Sequence, residues 1–333
     1  MQPPRATRRP PMFPAPEFPP RTPARFARTP PAVFPVILGL LGLGLALRTG
    51  IGALDLNLAP AEVLLGAVAV LWLFAVLAYG TKIARRPGVV IEDLRVLPGR
   101  SGLAAATMGG MAMASVLAPY APGVAVGVLF VALALHGVTA VLLIRLLLSL
   151  PPEGREVNPT WHLSFVGFIV GAVAASGLGM PGLATGLLVL TLPVAAAIWG
   201  VSLAQLVRRI PPAPLRPLLA IHLSPAGLFC TVAALTGHIL VAQIFAALGA
   251  VILLVLLGTM RWITAAGFTP LWGAFTFPLA AYATALLVLG APWTMPGLIV
   301  LIAALGANPV LAWKVLTLWQ TGSLAARTNA AEA

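Results

Sequence analysis

Charge is what this sequence has least of. Only 8% of its 333 residues are Asp, Glu, Lys or Arg, where soluble domains carry about 25%. With 60% of the chain hydrophobic, there is too little polar surface to face water on all sides. That excludes a soluble globular protein and implies several membrane-spanning segments. Acids are the scarcer sign, eight against twenty Lys and Arg. An ion-coupled pump ordinarily carries a buried carboxylate relay. Here Asp55, Glu92, Asp93, Glu153, Glu156 and also Arg48 fall in connections, and Glu62 sits at the start of an apolar run. The single cysteine, Cys230, excludes an internal disulfide and a cysteine-based metal cluster. The four histidines have no HxxxH or HExxH spacing, and nothing pairs a nucleophile with a base. The chain reads as no enzyme, with no metal and no cofactor. A signal peptide is not expected either, because the first thirty residues contain no apolar core.

What is present is apolar length. A membrane helix needs about 20 mainly apolar residues, and ten such runs can be read. They lie near 31–47, 62–81, 101–118, 122–144, 161–178, 183–207, 217–236, 239–260, 270–290 and 295–317. Prolines, glycines and arginines mark the joins. Residues 1–30 alternate proline with arginine and are expected to form a disordered, solvated cytoplasmic tail; contact of Phe13, Phe18 and Phe26 with the membrane surface is the alternative. Residues 31–320 form the transmembrane domain and 321–333 a cytoplasmic C-terminal tail.

The net charge of +12 invites nucleic acid as a partner, but its placement argues for a bilayer instead. With ten spans, every Lys and Arg except Arg48 falls on one side. By the positive-inside rule that side is cytoplasmic, with both termini on it, as for a multi-pass protein of a bacterial inner membrane. The connections on the other side are short. The rhythm is therefore five helical hairpins, an all-α integral membrane protein. Odd-numbered runs hold the small and kinking residues, with Pro35, Pro225 and Pro278 at similar depth; even-numbered runs are dense in Leu and Val. Helices rich in small residues pack closely, so an inner ring of five bent odd helices, surrounded by five even ones, is expected to line a pore.

Within that frame Leu271 to Leu279 stands out, with Phe275, Thr276, Phe277 and Pro278 in sequence. Proline removes a backbone donor and bends a helix, which in a membrane requires protein or a polar cavity alongside. A phenylalanine at such a kink is a rigid, uncharged plug; the plainer reading is an aromatic-packed bend. Thr107, Ser164, Ser224 and Thr276 are candidate pore-lining hydroxyls, together with Phe275. His162 and His222 both begin odd runs, where protonation would add positive charge at the cytoplasmic mouth; local hydrogen bonding is the alternative. His136, on an even run, reads as a hydrogen bond to a neighbouring helix. A hydrophobic constriction of this kind suits small anions. A proton-coupled carrier and a membrane scaffold subunit stay open beside it.

The stretch Gly273-Ala274-Phe275-Thr276-Phe277-Pro278 resembles the ninth-helix signature of the tellurite-resistance/dicarboxylate transporter family. That family takes in bacterial TehA-type proteins, fungal malate and sulfite transporters and plant slow anion channels. Asn158-Pro159-Thr160-Trp161, Leu223-Ser224-Pro225-Ala226 and Phe34-Pro35-Val36-Ile37-Leu38-Gly39 are similar to its helix five, seven and one starts. The resemblance implies five hairpins around a central pore, an anion channel or C4-dicarboxylate transporter, and a homotrimer with one pore per subunit. It places the gate at Phe277. The sequence departs from the family pattern at Asn158, which replaces a histidine. It departs again at Ala104 or Ala105 and at Ser164, which stand where prolines are usual.

Overall fold

The computed structural model describes residues 24–333, and among them every regular element is helical. The long elements are α1 (Phe34–Ala53), α2 (Ala59–Arg85), α4 (Leu97–Leu117), α5 (Pro122–Ser149), α6 (Phe168–Gly177), α7 (Pro181–Arg208), α8 (Leu223–Leu235), α9 (Ile239–Gly258), α11 (Thr276–Leu289) and α12 (Thr294–Gln320). Short helices α3 (Val89–Arg95), α10 (Met260–Ile263) and α13 (Ser323–Arg327) sit between or after them. Each expected apolar run falls on a helix. The sequence reason recurs: Pro35, Pro60, Pro98, Pro122 and Pro181 all occupy a first helical turn, where the missing N–H has no partner to lose. The α6–α7 and α8–α9 turns pass through Gly179 and Gly237 at φ 73° and 83°, a left-handed conformation that glycine adopts without steric cost.

Among the described residues, eight helical segments are long and apolar enough to cross a membrane. The two other long elements are α4, diluted by Gly, Thr and Arg100, and the apolar helix His162–Gly177, which is short. Burial separates two kinds of helix. In the most apolar stretch of the α8 segment 83% of residues are buried, against 22% in α9 and 28% in each of α2, α5 and α7. Helix α1 packs on α4, α4 on α6, α6 on α8, α8 on α11, and α11 back on α1; α2, α5, α7 and α9 each pack on the preceding odd-run helix. The last helix, α12, lies against both α11 and α1.

Two expectations need correction. Helix α1 does not stop near residue 47 but continues to Ala53, so Arg48 lies inside it and not in a connection. It is held there by Glu62 of α2, whose two oxygens accept from Nε and Nη2 at 2.7 Å. A buried ion pair also joins the last turn of α2 to α3, in the connection to α4. Lys82 and Asp93 are both 0% exposed and meet at 2.8 Å. Burial of this pair is tolerated because each group has further partners. Lys82 Nζ also donates to the Thr29 carbonyl, and Asp93 accepts from Tyr79 and from the Ala331 N–H. Sequence spacing gave no sign of it, since the partners come from four separate stretches.

Finally, the described part of the expected tail is packed: Ala27, Thr29 and Pro30 are buried, and Phe26 meets Phe74 edge-on at 5.7 Å. Residues 1–23, with Phe13 and Phe18, lie outside the described residues.

Candidate functional site

Five helical segments of the buried set start at the same face, and four start irregularly. Pro31–Val33, Ala213–His222 and Pro270–Phe275 are 3-10 turns, and His162–Val166 is a π turn. Prolines and crowding by neighbours keep these first turns from closing as α-helix. Between them lies a cavity of about 50 Å³, walled by Pro35 and Leu38 of α1, Ser101 of α4, His162, Ser224 and Pro225 of α8, and Phe277 and Pro278 of α11. It is nearly all apolar. Ser101 directs its hydroxyl to the Leu97 and Pro98 carbonyls.

A second cavity, of about 260 Å³, lies further along the same five helices. Its wall carries Arg48, Thr49, Ser115, Thr231 and Thr284. Arg48 is neutralised by Glu62, and three of the hydroxyls donate to helix carbonyls: Thr49 to Leu45, Thr231 to Gly227 and Thr284 to Ala280. The wall is mostly apolar, with a few hydroxyls tied to helix carbonyls and its one guanidinium paired.

Two residues belong to both cavities, Phe277 and Leu228. Phe277 is 8% exposed and lines both spaces. Room for it comes from Gly42 of α1, where an added Cβ would sit 3.0 Å from Phe277 Cδ2. Leu228 escaped the sequence reading because nothing distinguishes it within the apolar run of α8.

The other candidates divide. Pro35, Ser224, Pro225, Pro278 and His162 lie on the wall of the first cavity. Thr276, Thr107, Ser164 and Phe275 are not on either wall. Thr276 is turned toward α1, its hydroxyl 2.8 Å from the Gly273 carbonyl and 2.0 Å from where a Cβ on Gly39 would be. Thr107 meets His136 Nδ1 at 2.7 Å, the interhelical bond expected of that histidine. Ser164 is buried within the π turn and Phe275 packs on Trp272. His162 and His222 bond to each other, Nε2 to Nδ1 at 3.0 Å; their remaining ring nitrogens, His162 Nδ1 and His222 Nε2, are buried without a partner. Asn308, also missed, sits mid-way along α12 and donates to the carbonyls of Thr276 and Gly39. An amide in the middle of an apolar run was its available signal.

Residues 28–321 match the family described as voltage-dependent anion channel, SLAC1. The chain belongs to that family. The match runs from just ahead of α1 to just past α12, so it takes in both cavities and Phe277. The voltage-dependent anion channel family comprises membrane channels and transporters of anions, not enzymes. It agrees with the likeness seen in the four sequence motifs. No curated protein matches the chain.

Proposed function

We propose that this protein is a passive anion channel whose pathway runs between α1, α4, α6, α8 and α11 and is stoppered by Phe277. The observation that carries this reading is that Phe277, with Leu228, lines both cavities. Ten crossings follow if α4 and the His162–Gly177 segment also span. Arg48, near the far end of α1, reaches the carbonyls of Ser115 and Val116 near the far end of α4. Gly102 at the other end of α4 lies against Pro31. This supports α4 running alongside α1 for most of its length. The five inner segments then form a ring with their N-terminal ends at one mouth. Helix N-termini carry partial positive charge, about half an elementary charge each before screening. Five together draw anions to a mouth with no free cation on its wall. Among the described residues nearly all the arginines and lysines lie at that face, which supports reading it as the cytoplasmic side of a bacterial inner membrane, with both termini there.

The solute is a small inorganic or organic anion; the resemblance favours the tellurite-resistance and C4-dicarboxylate branch, and a homotrimer with a pathway in each subunit. Mass measurement of the detergent-solubilised protein tests the trimer, and a monomer would refute it. One observation favours a second reading, a proton-coupled carrier for malate or sulfite: His162, on the wall of the first cavity, is bonded to His222, and each ring keeps a buried unpartnered nitrogen. Reconstituted liposomes separate the two. A channel gives ohmic currents in chloride, nitrate, sulfite and malate gradients that persist when the proton gradient is collapsed. Saturable uptake lost with that gradient would favour the carrier. No flux of any anion would refute both and point to a scaffold subunit.

A further inference from the structure

Helix α7 carries a feature that conduction does not use. On the lipid-facing side of the molecule, an apolar crevice of about 300 Å³ is walled by Trp161, Phe165, Val194, Ala197, Ile198 and Val201. It abuts a second hollow of about 380 Å³ at the basic face, lined by Ser202, Gln205 and Arg208 of α7, by Arg209 just after it, and by Asn158 and Glu156 of the connection before α6. Val157 belongs to both. Positions 194, 198, 202, 205 and 208 recur at intervals of three and four, so they share one helix face. Along that face the chemistry changes from valine and isoleucine to hydroxyl, amide and guanidinium.

Two observations point to an occupant. Ser202 is 5% exposed, yet its Oγ has no hydrogen-bond partner. The indole Nε1 of Trp161, in the apolar crevice wall, is likewise buried and unpartnered. A buried polar group is ordinarily paired, because leaving it bare costs free energy. The charge balance favours an anion. Among the described residues Arg208 has no acidic partner within 4 Å, and Arg209 only meets Glu156 at 3.5 Å, with both side chains more than half exposed. The crevice next to this charge holds no polar side chain but the indole.

We propose that this continuous groove is a binding site for an anionic phospholipid. The phosphate sits with Arg208, Arg209, Gln205 and Ser202, and an acyl chain lies along Val194, Ile198 and Val201. Polybasic contacts of this kind each strengthen binding to anionic headgroups, and the acyl chain adds buried apolar area. The site depends on the chain being membrane-embedded but not on its conducting anions.

The test is lipid binding to the purified, delipidated protein, read by native mass spectrometry and by thermal shift. The probes are phosphatidylglycerol, phosphatidylcholine and inorganic phosphate. Phosphatidylglycerol is expected to bind and raise the melting temperature, with phosphatidylcholine and phosphate far weaker. The double variant Arg208→Ala/Arg209→Ala is expected to weaken phosphatidylglycerol about 30-fold, from two lost surface charges. Ala197→Trp, an exposed position that fills the crevice, is expected to weaken phosphatidylglycerol as well. Equal binding of phosphatidylcholine would overturn the proposal, as would phosphate matching the lipid, which would make this a free-anion site. Both variants binding phosphatidylglycerol like the parent would also overturn it. So would an oligomer that buries the groove and changes mass with Ala197→Trp while lipid binding does not.

Discussion

At the scale of single residues, Gly39 and Gly42 decide how α1 meets α11. An alanine Cβ at Gly39 would lie 2.0 Å from Thr276 Oγ1 and 2.4 Å from its Cβ, closer than any real contact. Gly39→Ala is expected to destabilise the protein by about 1–3 kcal/mol, the usual range for overpacking, seen as a lower melting temperature in detergent. An unchanged melt would show that α11 can shift away freely. Leu228→Ala should widen the passage, but less than removing the Phe277 ring; a larger current than from Phe277→Ala would reverse the roles assigned to them. Phe277 was legible because an aromatic beside a proline in an apolar run is conspicuous. Thr276, Thr107 and Ser164 were not, because a hydroxyl's type says nothing of its direction. Helix phase turns Thr276 onto Gly39 and Thr107 onto His136, leaving the wall to Ser224 and Ser101.

At the scale of elements, the helices could be read almost entirely from hydropathy and from first-turn prolines. What could not be read was where they end and what crosses between them. Helix α1 runs on through Arg48 because Glu62 compensates the guanidinium, a pairing between residues 14 apart on different helices. Asn308 ties α12 to α1 and α11 through two backbone carbonyls. Asn308→Leu should cost about 1 kcal/mol, given that interhelical polar contacts in membranes average about 0.6 kcal/mol each. Thermal unfolding in detergent measures it, and a stabilised variant would contradict the role. Lys82→Met should be more severe, about 3–5 kcal/mol, because Asp93 would be left buried without its cation. A loss below 1 kcal/mol would mean that the Tyr79 and Ala331 donors alone suffice.

At the scale of the whole molecule, the C-terminal residues pack against residues 24–30 and the end of α2. Ala333 donates to Ala27, Arg28 pairs with Glu332 at 2.8 Å, and Arg86 reaches the Glu332 carbonyl. Deleting residues 330–333 should speed hydrogen exchange in residues 24–30, which lean on them; unchanged protection would make the packing incidental. None of this packing was legible in a proline- and arginine-rich start, because its partners lie at the other end of the sequence. The hairpin rhythm and the one-sided charge were legible, since both follow from the bilayer.

The central claim is that one aromatic ring closes an otherwise continuous anion path. Anion current through liposomes carrying equal amounts of correctly inserted parent or Phe277→Ala protein tests it most directly. The expected result is a severalfold larger ohmic current from the variant, with the anion order unchanged. Equal currents would contradict it.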